Sequence, residues 1–283
     1  MTKVLAFLKL IRLPNLVMIV LAQYITSIKF VKTIDNAQLV SISIATIFIA
    51  MGGYVLNDIE DIKIDTINQQ EPITKYFSLS VLKILYYVFS FIGLAVAFYL
   101  SYQTEMWFIM LFSFAFFLLW SYAKFFSKFK LIGNIFVSLL VAEAIIIVPI
   151  IANITNNTIL PTEKVYKVVL PSYILLAFLF NWMREIIKDL EDQKGDELEN
   201  RITVPSVFGT EPAKMVVFAL VFIASPLIVL QLVKLHYNVL GIVILLVAML
   251  IYRLKIAKET KDFKQVSLLM KLIMLLGILY PLF

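Results

Sequence analysis

Cysteine is absent from this 283-residue chain. That excludes disulfides, thiolate metal sites and cysteine nucleophiles. Histidine is nearly absent: His236 stands alone, which excludes a multi-histidine metal site and a haem held by two histidines. Charge is scarce as well, with only 16% of residues Asp, Glu, Lys or Arg, where a soluble domain carries roughly 25%. No small-residue cleavage site follows the first apolar stretch, so the segment behind Lys3, Lys9 and Arg12 reads as a permanent helix rather than a signal peptide. In place of these groups stand apolar residues, 61% of the chain with 23 Phe, and a mean hydropathy of +0.94. Long apolar runs with few charges mark membrane-spanning helices. The net charge of +6 fits membrane topology better than nucleic-acid binding, because the basic residues sit in short loops beside apolar spans.

Hydropathy predicts an all-α polytopic membrane protein with nine spans, near 12–30, 38–57, 79–100, 104–122, 132–152, 165–188, 213–233, 235–254 and 264–283. The N-terminal segment and the loops after spans 2, 4, 6 and 8 carry 20 of the 25 Lys and Arg. The other side holds Lys29, Lys32, Lys164, Lys167 and Lys234. This asymmetry places the N-terminus and the even-numbered loops in the cytoplasm and the C-terminus outside. Fifteen of the 19 acidic residues follow the basic side. Orientation does not account for them, because Asp and Glu contribute little to it.

The acids fall into a repeated motif. Residues 57–69 read NDIEDIKIDTINQ, and residues 184–201 read REIIKDLEDQKGDELENR. Asp58, Asp61 and Asp65 align with Asp189, Asp192 and Asp196 as D-x-x-D-x-x-x-D, offset by 131 residues. On a helix, positions i, i+3 and i+7 share one face. Three like charges on one face repel unless water screens them or a cation joins them. An all-oxygen donor set suits Mg²⁺, which commonly joins a few carboxylates to substrate phosphates. Two such clusters would hold two or more Mg²⁺ ions around a diphosphate. A solvated acidic face is the plain alternative for one such run, but the repeated spacing on one membrane side argues against it. Calcium suits the motif less well, since neither stretch has the glycine-bearing loop of an EF-hand.

Asn57-Asp58-x-x-Asp61-x-x-x-Asp65 with Asp189-x-x-Asp192-x-x-x-Asp196 resembles the UbiA superfamily of intramembrane prenyltransferases. The segments Asn181 to Asp196, Ile11-Arg12-Leu13-Pro14-Asn15 and Leu131-Ile132-Gly133-Asn134 resemble the branch that transfers geranylgeranyl to geranylgeranylglyceryl phosphate. The resemblance implies one membrane-embedded domain of two pseudo-repeated halves, roughly 1–130 and 131–283, with nine helices around a central cavity. It also implies Mg²⁺ held by the six aspartates, with Asn57 adding an amide oxygen. A polyprenyl diphosphate and a lipophilic acceptor are the implied substrates, and the cell membrane the implied location. In the loop after span 4, Tyr122 and Lys128 are the nearest matches to the residues with which the family grips diphosphate, with positive-inside anchoring the alternative for the lysine. Asn181, Arg184 and Lys188 flank the second motif as further substrate-binding candidates. A helix–helix hydrogen bond is the alternative for Asn181, and pairing with local carboxylates is the alternative for Arg184 and Lys188. Glu143, near mid-span, would face the cavity or bond a neighbouring helix. His236 reads as structural or solvent-exposed. The chain departs from the family after the first motif: Gln69, Gln70 and Glu71 stand where many members carry an Arg and an Arg-Pro pair.

Three other functions stay open at this level. An aromatic acceptor, as in quinone synthesis, would need stacking groups where a phosphate acceptor needs cations. A prenyltransferase-like scaffold without activity would follow from the missing Arg-Pro cations. A cation-coupled transporter is the alternative of another class, but its acids would lie at the midplane rather than at one membrane face.

Overall fold

The structure is a computed structural model and describes residues 2–31, 34–67, 73–127, 129–155, 164–198, 200–234 and 240–282, with the side chains of 63–67, 130, 164–166, 232–234 and 240 outside that description. Every regular element among the described residues is helical. Eight of the helical segments are long and apolar enough to cross a membrane. The ninth expected span, 235–254, corresponds to a helix over Leu240–Ile256, with 235–239 outside the described residues. The helices turn large apolar side chains outward: Phe91 is 73% exposed and Phe222 79%. In water that would be a liability, but against lipid it is the expected face.

The chain divides into two compact units, Met1–Ser127 with Glu143–Ile159 and Lys128–Ala142 with Leu160–Phe283. In the first unit, α1 (Lys3–Leu10) starts at Thr2, whose hydroxyl accepts the Leu5 amide at 3.3 Å. Arg12 then takes a left-handed conformation (φ 50°), and α2 (Leu13–Thr26) begins with Pro14 in its first turn. Proline is tolerated there because its missing N–H would have no helical partner. α2 runs on as a π-helical turn through Val31. α3 (Asn36–Ile67) is 32 residues long. At 1.5 Å per residue it extends about 48 Å, against about 30 Å for a hydrocarbon core. Its C-terminal turns, which hold the first acidic motif, therefore project beyond the apolar span.

α4 (Leu79–Gln103) packs antiparallel on α3. Glycines make the approach possible: a Cβ on Gly93 would lie 2.9 Å from the Ile49 amide nitrogen, and one on Gly52 would lie 2.7 Å from Ser90 Oγ. Small residues at such crossings let membrane helices associate closely. α5 (Phe108–Ser121) ends in a π-helical turn, Tyr122–Phe126. Tyr99, Tyr102 and Trp107 stand exposed around the α4–α5 junction, as aromatic side chains do at a membrane–water boundary.

α6 (Lys130–Thr155) gives its first part to the second unit and its last part to the first. α7 (Lys164–Leu198), at 35 residues, also outruns a membrane and carries the second motif on its last turns. α8 (Val204–Phe208) is a single capped turn, with the Thr203 and Ser206 side chains accepting each other's backbone amides. Gly209, at φ 90°, supplies the left-handed joint to α9 (Thr210–Lys234). α10 (Leu240–Ile256) and α11 (Thr260–Leu279) complete the unit. Its core gathers Met183, Ile186, Ile187 and Leu190 of α7 with Val217, Leu254 and Met270. Lys214 is buried at 2% exposure, donating to the Ala257 carbonyl at 2.7 Å and to Glu211 at 2.8 Å. A cation there caps the negative end of α10.

Candidate active site

The first motif forms on α3 as the i, i+3 pattern predicts. Asn57 is buried, and its Nδ2 donates to Asp61 Oδ2 at 2.7 Å, one helical turn on. Donation through the nitrogen keeps the amide oxygen as the group available to a cation. Asp58 is half-buried and accepts from an Arg12 guanidinium nitrogen at 3.4 Å. The same guanidinium lies 4.7 Å from the centre of the Tyr54 ring, a cation–π distance. Sequence reasoning used Arg12 only for topology and for the resemblance of its segment. Its role beside Asp58 comes from the left-handed turn between α1 and α2, which no motif announces. Glu60, on the intervening face, pairs with Lys124 of the π-helical turn at 2.6 Å. Tyr122 opens that turn, half-buried, and its carbonyl accepts the Ser127 amide at 2.7 Å. Asp65 lies on α3, with its side chain outside the described residues. Lys128, Gln69, Gln70, Glu71 and His236 also lie outside the described residues.

The second motif is more deeply set. Asp189 and Asp196 are 3% and 4% exposed, while Asp192 is half-buried. Asp189 Oδ2 accepts from Asn134 Nδ2 of α6 at 2.7 Å. Four residues along α6, Ser138 Oγ donates to the Asn134 carbonyl at 2.6 Å and accepts from Asn181 Nδ2 at 3.2 Å. Asn181 thus forms the helix–helix hydrogen bond weighed for it above. Asn134 entered the sequence reading only through its flanking segment. Arg184 pairs with its neighbour Glu185, and Lys188 is exposed. The segment after α7 folds back on it: Arg201 N donates to the Asp196 carbonyl at 2.9 Å, and Gln193 bonds Glu197, Thr210 and the Pro205 carbonyl.

Near the middle of α6, Glu143 is half-buried. The next residue, Ala144, offers its carbonyl to Gln23 Nε2 of α2 at 2.9 Å, and that amide also donates to Thr46 of α3 at 3.1 Å.

Among the described residues, no three His, Cys, Asp or Glu side chains converge closely enough to grip a metal by themselves. The donor set nonetheless fits Mg²⁺. That ion keeps several waters and takes one or two carboxylates together with substrate phosphates, so a complete protein cage is not needed. The two motifs offer oxygen donors only, on helix ends that reach past the apolar span.

The UbiA prenyltransferase family model matches residues 16–275 of the chain. A digeranylgeranylglyceryl phosphate synthase of Methanococcus maripaludis is 32% identical over 229 residues, covering 77% of this chain and 73% of that relative. A solved structure of digeranylgeranylglyceryl phosphate synthase in membranes superposes with a TM-score of 0.65 at 23% identity, covering 99% of each chain. A UbiA homologue of Archaeoglobus fulgidus, solved with GPP and Mg²⁺, has a TM-score of 0.66 at 14% identity, covering 98% of this chain and all of that one.

Proposed function

The chain belongs to the UbiA prenyltransferase family, and from that premise we propose that it transfers a geranylgeranyl group from its diphosphate to geranylgeranylglyceryl phosphate. The observation that carries this choice of acceptor is the similarity, across three quarters of the chain, to digeranylgeranylglyceryl phosphate synthases. The paired D-x-x-D-x-x-x-D motifs on two overlong helices support the diphosphate half of the reading.

In this reaction the C1–O bond of the prenyl diphosphate breaks and its electron pair leaves with pyrophosphate. The acceptor hydroxyl oxygen forms the new ether bond to C1 and loses its proton. Asn57, Asp58, Asp61 and Asp65 of the first motif, and Asp189, Asp192 and Asp196 of the second, are the residues that would hold Mg²⁺, as their oxygen donors suit. The chemistry Mg²⁺ would supply there is positive charge that offsets the negative charge developing on the departing pyrophosphate. Arg12 brings a guanidinium to the first motif, where the chain lacks the family's usual Arg-Pro cations. A guanidinium offers planar, paired donors to phosphate oxygens. Tyr122, Lys128, Arg184 and Lys188 serve substrate binding, while Asn181 holds α7 to α6. The apolar interior of a single prenyltransferase domain shields the cation-like allyl carbon from water. The protein lies in the cell membrane with its N-terminus and both motifs cytoplasmic, as the Lys and Arg asymmetry supports.

The test is direct. Purified protein is incubated with Mg²⁺, geranylgeranyl diphosphate and a panel of acceptors, and pyrophosphate release is measured. Release dependent on geranylgeranylglyceryl phosphate is the expected result. Release with an aromatic acceptor alone would move the protein to the quinone branch, and no release with any acceptor would overturn the enzyme reading.

A further inference from the structure

Among the described aspartates, Asp58 and Asp189 open the two motifs yet are held by different chemistry. Asp58 meets a cation: the Arg12 guanidinium stands 3.4 Å away, with the two side chains 36% and 25% exposed. Asp189 meets a neutral amide: Asn134 Nδ2 stands 2.7 Å from Oδ2, with both residues almost fully buried. A neutral donor fixes a carboxylate's orientation and brings no charge of its own to it. Asn134 is itself held in place. Its backbone carbonyl accepts from Ser138, which in turn accepts from Asn181 of α7. Asn134 and Ser138 therefore lace α6 to α7 at two levels, one through Asp189 and one through Asn181.

Resting on the Mg²⁺-dependent reading above, we infer that Asn134 is a positioning residue for the second motif. It holds the Asp189 carboxylate in a fixed orientation toward a divalent cation before any diphosphate arrives. Ser138 secures the helix pair and acts on the cation only weakly. Loss of a group that orients a metal ligand typically lowers metal affinity by about 10- to 100-fold.

The test measures Mn²⁺, standing in for Mg²⁺, bound to the purified full chain without substrate, using the paramagnetic resonance signal of the free ion. The chain is compared with Asn134→Leu, Asp189→Asn, the double variant and Ser138→Ala. Asn134→Leu is expected to weaken Mn²⁺ binding by about tenfold. The double variant is expected to bind no more weakly than Asp189→Asn alone, because Asn134 acts through Asp189. Ser138→Ala is expected to lower thermal stability while binding Mn²⁺ within about twofold of the natural chain, since the Asn134–Asp189 bond remains. Asn134→Leu binding like the natural chain, or losses that add in the double variant, would overturn the inference. Asn134→Ala replaces the leucine variant if the latter does not elute as a single folded species. Loss of the fold in both would make Asn134 a structural residue and also overturn the inference. A natural chain that binds no Mn²⁺ sinks the metal-dependent reading itself. An Asp189→Asn variant that binds normally removes Asp189 from the metal site.

Discussion

Gly93 of α4 sits where α3 comes closest, and replacing it with alanine tests how tightly the helix bearing the first motif is held. A Cβ there would lie 2.7 Å from Ile49 Cγ1, 2.9 Å from the Ile49 amide nitrogen and 3.2 Å from the Ala45 carbonyl oxygen. Carbon atoms in good contact stand about 3.5–4.0 Å apart. The Ile49 side chain can rotate away, but its backbone cannot, so α4 must shift off α3. Overpacking of this kind costs about 1–3 kcal/mol. Alanine also favours a helix over glycine by about 1 kcal/mol, which partly masks the cost. Gly277 of α11 separates the two effects, because a Cβ there meets nothing within 4 Å. Gly277→Ala receives the helical gain alone. The propensity difference cancels between the two variants, so Gly93→Ala should be less stable than Gly277→Ala by about 1–3 kcal/mol. Gly52→Ala should fall between them, since its tight contact is a rotatable hydroxyl, Ser90 Oγ, and its backbone contact is an ordinary 3.5 Å. Thermal unfolding in detergent, followed by loss of the folded elution peak, gives the order. Gly93→Ala as stable as Gly277→Ala would refute close backbone packing between α3 and α4.

Asp58→Ala and Asp189→Ala should each abolish pyrophosphate release while membrane insertion is kept, and chelating the divalent cation should do the same to the natural chain; full turnover in either variant would remove that residue from the site. Arg12→Gly separates fold from function. Its φ of 50° suits glycine, so stability should hold. KM for the prenyl diphosphate should rise about tenfold, as loss of one charge-assisted contact implies; an unchanged KM would leave Arg12 a structural clasp. Lys214→Met removes a buried cation that caps Ala257, and unfolding should show a loss of about 1–3 kcal/mol from the unpaired carbonyl.

Several features of this protein were legible in the chain because they are local. Membrane spans follow from apolar runs of bilayer length, and eight appear among the described residues. The i, i+3, i+7 spacing of the aspartates followed from helical periodicity, and both motifs do lie on helices. The sequence also posed the choice for Asn181 between substrate and neighbouring helix, since an amide within a span serves either. Packing then supplied its hydrogen bond to Ser138.

The partners of the aspartates were not legible. Arg12 and Asp58 are 46 residues apart, and Asn134 and Asp189 are 55 apart. No periodicity links positions so distant. Their meeting depends on a left-handed turn at Arg12 and on how α6 lies along α7. Nor did hydropathy show that α3 and α7 continue as unbroken helices through their acidic ends, because a hydropathy window falls there whether the chain stays helical or not. The sequence by itself determined that this is a membrane protein with two carboxylate faces suited to a divalent cation, because composition and helical period are properties of neighbouring residues. Only the tertiary structure decided that one face meets a guanidinium and the other a buried amide, because those contacts are made between segments that the chain order keeps far apart.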